Sequence, residues 1–278
     1  MSGTKKTILV TGATSGIGRA TAIELARRGH EVIASGRKTE ILDAMASEHG
    51  VKTLVLDVTS REAIEKVAGE VESITDGHGI DVLVNNAGFG RLAPMELITD
   101  DDMLGQFETN VFGLVRVTQA LLPGMKRRGS GKIINISSVV GRLSIPMQGI
   151  YCATKHAVEA LSDAWRVELR GFGIKVVLVE PGAIQTSFGA TALANEQKYK
   201  DAGADYNVAI DNYHRLMEKM YASSPGPERV ARCVARIVEK RSPRARYVVP
   251  WTNRPMIFLY KATPSFILDR LMARMLGL

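Results

Sequence analysis

Seven short β-branched runs recur along the chain with helix-like stretches between them, and this alternation constrains the fold more than any other feature. The runs are "TILV" (7–10), "EVIAS" (31–35), "KTLVL" (52–56), "DVLV" (81–84), "KIINI" (132–136), "IKVVLV" (174–179) and "RYVV" (246–249). None alternates cleanly between polar and apolar, so each strand is predicted to be covered on both faces. Helical patterns fall near 17–28, 39–48, 60–73, 101–127, 150–170 and 227–240. Strand–helix alternation implies right-handed crossovers and therefore an α/β fold. The prediction is a doubly wound parallel sheet of seven strands with helices on both faces, plus a C-terminal helical tail. The segments 183–226 and 250 onward read as irregular.

A chain of 278 residues, 45% apolar and 23% charged, has material for one sizeable core. Two cysteines, Cys152 and Cys233, make no disulfide framework and point to a reducing, cytoplasmic setting. The N-terminus has no long apolar segment of the secretory kind, and no stretch approaches the ~18 apolar residues of a spanning helix. The net charge of +7 is uneven: residues 226–278 carry eleven Lys and Arg against three acids. A neutral body with a basic C-terminal end argues against a nucleic-acid groove across the fold. No His, Cys, Asp or Glu spacing indicates a metal, and the five histidines (30, 49, 78, 156, 214) read as surface or loop residues.

The first strand runs into "TGATSGIG", which places Gly12, Gly16 and Gly18 where strand one turns into helix one. Glycine there lets the backbone approach a pyrophosphate, which then meets the unpaired N–H groups of a helix start. The spacing is G-x-x-x-G-x-G, not G-x-G-x-x-G. Strand two ends in "SGRK" with no carboxylate to accept from a ribose 2′-hydroxyl. A carboxylate would repel a 2′-phosphate, whereas Arg37 could grip one, so NADP(H) is predicted over NAD(H). The alternative is that Arg37 and Lys38 are merely solvated loop charges.

"YCATK" (151–155) sets Tyr151 and Lys155 one helical turn apart, on one face. A free tyrosine titrates near pH 10, and a neighbouring ammonium would lower it toward neutrality. The pair therefore reads as a proton switch, with lysine tuning tyrosine.

"TGATSGIG", "LDV" (56–58), "NNAG" (85–88), Asn110, Ser138, "YCATK" and "PG" (181–182) occur in one order from residue 7 to about 190. The set closely resembles the short-chain dehydrogenase/reductase family, in its compact single-domain branch of hydroxysteroid and retinol dehydrogenase type. The resemblance implies one Rossmann-type catalytic domain over 1–250, with a substrate lid at 183–226 and an amphipathic tail at 251–278. It implies Asn110, Ser138, Tyr151 and Lys155 as the catalytic set. Ser138 would bond the substrate oxygen and Asn110 would hold a water leading to the lysine. Cofactor contacts would come from Gly12, Thr14, Ser15, Gly16, Ile17, Gly18, Arg37, Tyr151 and Lys155. Asp57 and Val58 would lie at the adenine, and Asn86, Ala87 and Gly88 along the ribose. Pro181, Gly182 and Thr186 would edge the nicotinamide amide.

The implied activity is interconversion of an alcohol with a ketone or aldehyde by an NADP(H)-dependent oxidoreductase. A carrier-bound 3-oxoacyl ketoreductase is the alternative within the family, and a nonenzymatic dinucleotide sensor the alternative outside it. Phe188, Tyr199, Tyr206, Tyr213, Met217, Met220 and Tyr221 in the lid suit a bulky apolar substrate of steroid, retinoid or lipid type, or they pack the lid onto the body. The long helices near 101–127 and 150–170 resemble those that pair family members into homodimers or homotetramers. In the tail, Phe266, Ile267, Leu268, Leu271, Met272, Met275 and Leu276 recur at helical spacing beside basic residues. Such a helix either lies in an anionic membrane surface or folds back over the pocket.

Overall fold

The apolar runs form one parallel sheet in the computed structural model, which describes residues 4–193 and 196–278. The strands are β1 (Thr7–Val10), β2 (Glu31–Gly36), β3 (Lys52–Val55), β4 (Val82–Asn85), β5 (Gly131–Ile136), β6 (Ile174–Pro181) and β7 (Arg246–Val249). Their spatial order is β3-β2-β1-β4-β5-β6-β7. Crossover helices α1 (Gly16–Arg27), α2 (Thr39–His49) and α3 (Arg61–Ile74) precede β4. Then come α4 (Asp100–Phe107), α5 (Leu114–Arg128) and α6 (Gly149–Glu168).

Successive strand residues point to opposite faces, and here both faces are apolar. Ile8, Val10, Val82, Val84, Ile134 and Val177 pack in one cluster with Ala22 and Leu25 of α1. The alternate residues Leu9, Leu83, Ile133 and Val176 pack in another, with Val67 of α3 and Val117 of α5. This explains the missing polar alternation. The chain moves outward from β1 to β3 and then returns to β4 on the other side of β1. That reversal opens a crevice at the C-terminal ends of β1 and β4, the usual place for a ligand in such sheets.

A polar ladder crosses the apolar interior. Asn85 Nδ2 donates to Asn135 Oδ1 and to Thr118 Oγ1, each at 2.9 Å. Asn135 Nδ2 donates onward to Ser162 Oγ at 2.8 Å. The ladder ties β4 and β5 to α6.

Four expectations need correction. The pattern read as one helix over 101–127 is interrupted by a π-helical turn, Glu108–Gly113, between α4 and α5. The segment 183–226 is largely helical, with α7 (Ser187–Leu193), α8 (Glu196–Ala202) and α9 (Asn207–Ala222) ahead of α10 (Glu228–Glu239). Its apolar residues are too widely mixed with polar ones to display a clean stripe. The tail forms two helices, α11 (Arg254–Ala262) and α12 (Ser265–Leu276). His30 is buried between α1 and β2 rather than exposed, and burial pushes its imidazole pKa down. On the helices expected to pair protomers, Leu104, Phe112 and Val167 do face solvent.

Asn135→Leu keeps the volume of the side chain but removes the acceptor for Asn85 and the donor to Ser162. Breaking a buried network of this kind costs about 1–3 kcal/mol, or several degrees in a melt of a chain this size. An unchanged melting temperature by circular dichroism would show that the ladder adds no stability.

Candidate active site

The crevice floor is built by backbone contact between the turn after β1 and the end of β4. Gly12 has φ +63°, and a Cβ there would lie 2.8 Å from the Ala87 Cα. A Cβ on Gly18 would lie 2.3 Å from both the Gly12 carbonyl and the Asn86 amide. Asn86 Nδ2 donates to the carbonyls of Thr11 (3.0 Å) and Gly12 (3.1 Å). Thr11 Oγ1 in return accepts from the N–H groups of Asn86 and Ala87. Gly16, at φ +51°, faces the Thr186 side chain, so the loop after β6 closes over the start of α1. Ser15 is the N-cap of α1 but makes no side-chain cap bond, and the first turn has no acid. The leading N–H groups of α1 are thus aimed at the crevice without an internal anion. A shallow open cleft of about 360 Å³ runs from this end between α1 and α10, lined by Gly16, Arg19, Glu24, Thr186, Ser187 and Glu228 among others. The glycine turn and the leading N–H groups of α1, rather than that cleft, fit a dinucleotide pyrophosphate. Ile17 turns its side chain into the core and could contribute only backbone.

At the adenosine end, Gly36 has no room for a side chain because Thr14 Cγ2 would lie 2.7 Å from its Cβ. Arg37 follows, exposed, with its guanidinium 3.8 Å from Asp57. Asp57 caps its own turn, accepting from Thr59 N at 2.9 Å and Thr59 Oγ1 at 2.8 Å. Val58 is buried, and its carbonyl would lie 2.7 Å from a Cβ on Gly113 of the π turn.

The four residues expected to act together do converge. Tyr151 and Lys155 sit on one face of α6, with Lys155 Nζ 5.8 Å from the Tyr151 ring centre. Lys155 Nζ donates to the Ile136 carbonyl at 2.9 Å. Ser138 Oγ lies within reach of the Pro181 carbonyl (3.3 Å) and accepts weakly from Val140 N. Asn110 stands in the π turn. Its Nδ2 donates to Phe89 O (2.8 Å) and Thr154 Oγ1 (3.1 Å), while its Oδ1 accepts from Phe89 N (3.0 Å). Gly88 passes close by, where a Cβ would be 3.0 Å from Asn110 Oδ1. Gly182 donates to Val249 O at 2.9 Å and leaves space for Asn253.

Burial works against the expected lowering of the tyrosine pKa. It pushes the Tyr151 phenol up, and the bond with Ser138 opposes it only in part. The lysine is itself brought down to about 8 by burial, against the opposing pull of Glu159. The phenol is therefore held neutral.

Sequence reasoning missed three features. Phe188 of α7 packs on Tyr151, ring centres 5.4 Å apart, and fills the space left by Gly90. Asp102, low in exposure, fastens the lid by accepting from Lys198 Nζ (2.8 Å) and Tyr199 Oη (2.9 Å). The third is a charge cluster behind the site. Glu180, fully buried one residue before Pro181, faces Arg246 at 3.3 Å and Arg142 at 3.5 Å. Arg246 also bonds Glu159 of α6 at 2.9 Å. Burial, with Glu159 nearby, lifts Glu180 to about 6 against the pull of both arginines. Nothing in the order of these residues marks them, since they meet only through the fold.

Several of the lid's aromatic and methionine side chains pack the lid onto the body. Tyr199, Tyr213 and Met217 are buried in a cluster with Leu92, Ala93, Met147 and Ile150, while Tyr206 reaches out to Glu96. Only a small apolar pocket of about 20 Å³ remains beneath the lid, lined by Leu92, Ala93, Pro94, Met147, Tyr199, Ile210 and Tyr213.

The short chain dehydrogenase family model matches residues 6–197. The oxidoreductase YbbO of Escherichia coli (strain K12) is 35% identical, over 96% of this chain and 94% of its own length. A 3-ketodihydrosphingosine reductase of Bacteroides thetaiotaomicron is likewise 35% identical, over 95% and 94%. The solved closed form of a serine dehydrogenase complexed with NADP+ superposes with TM-score 0.74 at 32% identity, covering 87% of this chain and 93% of that one.

A lysine brought down to about 8 sheds its proton in the folded chain before it does so in the unfolded one. Between about pH 8 and the ordinary lysine value near 10.4, the unfolded chain binds the extra proton, so this group makes stability rise with pH. Lys155→Met should remove that rise in denaturant titrations across the window. An equal slope in both proteins would mean that Lys155 titrates as an ordinary lysine.

Proposed function

The chain belongs to the short-chain dehydrogenase family and is an oxidoreductase, and from that premise we propose that it interconverts a bulky apolar alcohol and its carbonyl using NADP(H). The observation that carries this reading is the convergence of Ser138, Tyr151 and Lys155 beside a glycine cradle shaped for a dinucleotide. A nicotinamide cofactor held by the glycine turn at Gly12, Gly16 and Gly18 would supply or accept the hydride. Ser138 Oγ, at the end of β5, orients the substrate oxygen by a hydrogen bond. Tyr151 Oη, kept protonated by burial, gives its proton to that oxygen in reduction and recovers it in oxidation. Lys155 stabilises the tyrosinate left behind, and Asn110 in the π turn orders the route by which the proton is replaced. Phe188 and the lid exclude bulk water from the transfer.

An apolar substrate is supported by the apolar side chains that line the small pocket under the lid and by the likeness to a 3-ketodihydrosphingosine reductase. NADP(H) is supported by Arg37 at the end of β2, by the absence of an acid at that position, and by the NADP+ complex of a structural relative.

Tyr151→Phe removes the exchangeable proton and little else. It should bind NADPH normally, keep its fold, and lose turnover by at least about a thousandfold, within the range of positioned acid–base catalysis. NADPH oxidation across fatty aldehydes, sphingoid ketones, retinals and steroids would read this out; appreciable turnover by the variant would reject the assignment.

Arg37→Ala should weaken NADPH and spare NADH. A charge-assisted contact is worth about 1.5–3 kcal/mol, and Arg37 is 77% exposed on its side chain. The lower end, about tenfold in KM for NADPH, is expected. Equal effects on both cofactors would show that Arg37 supports only the loop.

A further inference from the structure

Large apolar side chains in solvent are concentrated in residues 251–278. Trp251, Phe258, Leu259, Phe266, Leu271 and Leu278 are each 60% exposed or more. The two tail helices are held to the body at two buried points. Ile257 of α11 packs in the cluster that contains Tyr151, and the nearby Tyr260 hydroxyl accepts from Ser144 N at 3.2 Å. Leu276 of α12 is buried against the lid, where its carbonyl accepts from Asn212 of α9 at 2.8 Å.

Between these anchors the apolar pattern divides. Leu268, Met272 and Leu276, spaced four apart, are with Ala273 the partly or fully buried positions of α12. Ile267, Leu271 and Met275, also four apart, form an exposed ridge continued by Leu278. The fold-back reading therefore accounts for one row and leaves the other in solvent. Arg254, Lys261, Arg270 and Arg274 are exposed as well, the last two beside the ridge on α12, with Asp269 the single acid of the two helices. None of the four cations forms an ion pair with a described carboxylate.

An apolar ridge set among cations matches an anionic lipid surface, whose headgroups take the charge while its acyl boundary takes the side chains. A second copy of this chain fits poorly, because a two-fold contact would bring the same four cations against themselves. We propose that the outward face of α11 and α12 docks on an anionic bilayer, which would bring the Ile257 anchor, and with it the cluster that holds Tyr151, close to the membrane interface. Delivery of a lipid-dissolved substrate rests on the function proposed above; the docking does not.

The test is co-sedimentation of the full chain with vesicles of phosphatidylcholine, with and without phosphatidylglycerol, at low and high salt. The chain should bind the phosphatidylglycerol vesicles at low salt and be released by high salt. Arg254→Gln/Arg270→Gln/Arg274→Gln should bind about a hundredfold more weakly, from roughly fivefold per basic group near an anionic surface. Phe266→Ser/Leu271→Ser should lose binding at least about tenfold with an unchanged melting temperature. Failure of the full chain to bind phosphatidylglycerol vesicles would overturn the proposal, as would equal binding to both vesicle types. It would also fall if Phe266→Ser/Leu271→Ser turned a lipid-free dimer into a monomer by sedimentation velocity, because the ridge would then seat a second copy. Turnover of a soluble ketone, measured in parallel, separates this outcome from failure of the oxidoreductase reading, since vesicle binding needs no catalysis.

Discussion

The structure depends on how closely the chain can approach itself where β1 and β4 end. Gly12 and Ala87 meet there with no space for a side chain on the glycine, and Asn86 bonds back to Thr11 and Gly12. This contact determines where the β1 turn points, hence where α1 begins and which N–H groups face the crevice. A larger residue at Gly12 or Gly18 would push β4 away from the turn and displace both halves of the site together.

The candidate catalytic groups come from separate elements joined by buried polar contacts. Ser138 follows β5, Tyr151 and Lys155 lie on α6, and Asn110 occupies the π turn before α5. The Asn85–Asn135–Ser162 ladder connects β4, β5 and α6 through the sheet, so the strand end bearing Ser138 cannot slide against the helix bearing Tyr151 without breaking buried bonds. Opposing desolvation effects act on the pair itself: burial favours the neutral phenol of Tyr151 and weakens the proton affinity of Lys155. Burial is the largest influence on the ionisation of Tyr151 in the folded chain.

The parallel sheet and the catalytic set were legible because each leaves a local mark. Unbroken apolar runs state that both strand faces are covered, and a four-residue spacing states that Tyr151 and Lys155 share a helix face. The π turn was not legible, because one extra residue in a helix changes hydrogen bonding without changing residue type. The lid helices were hidden for another reason. Tyr199 and Tyr213 bury large rings while keeping hydroxyls on Asp102 and Gln148, so their burial does not read as an apolar stripe. In the tail, the sequence showed an amphipathic pattern but not its division into a row facing the body and a row facing out. Contacts distant in sequence, such as Arg246 with Glu159 and Glu180, leave no periodic trace.

That last cluster bears on the order in which the protein matures during synthesis. Glu180 is completely enclosed, and one of its two facing cations, Arg246, belongs to the final strand of the sheet. A nascent chain that has emerged only through β6 already holds the glycine turn, the polar ladder and Tyr151, yet lacks Arg246. The segment before Pro181 cannot then close over its carboxylate without leaving Arg142 to balance it alone. Glu180 gains its second facing cation only where β7 pairs with β6, and Gly182 gains its bond to Val249 there too, so the loop bearing Gly182 and Thr186 rests on a strand far from it in sequence.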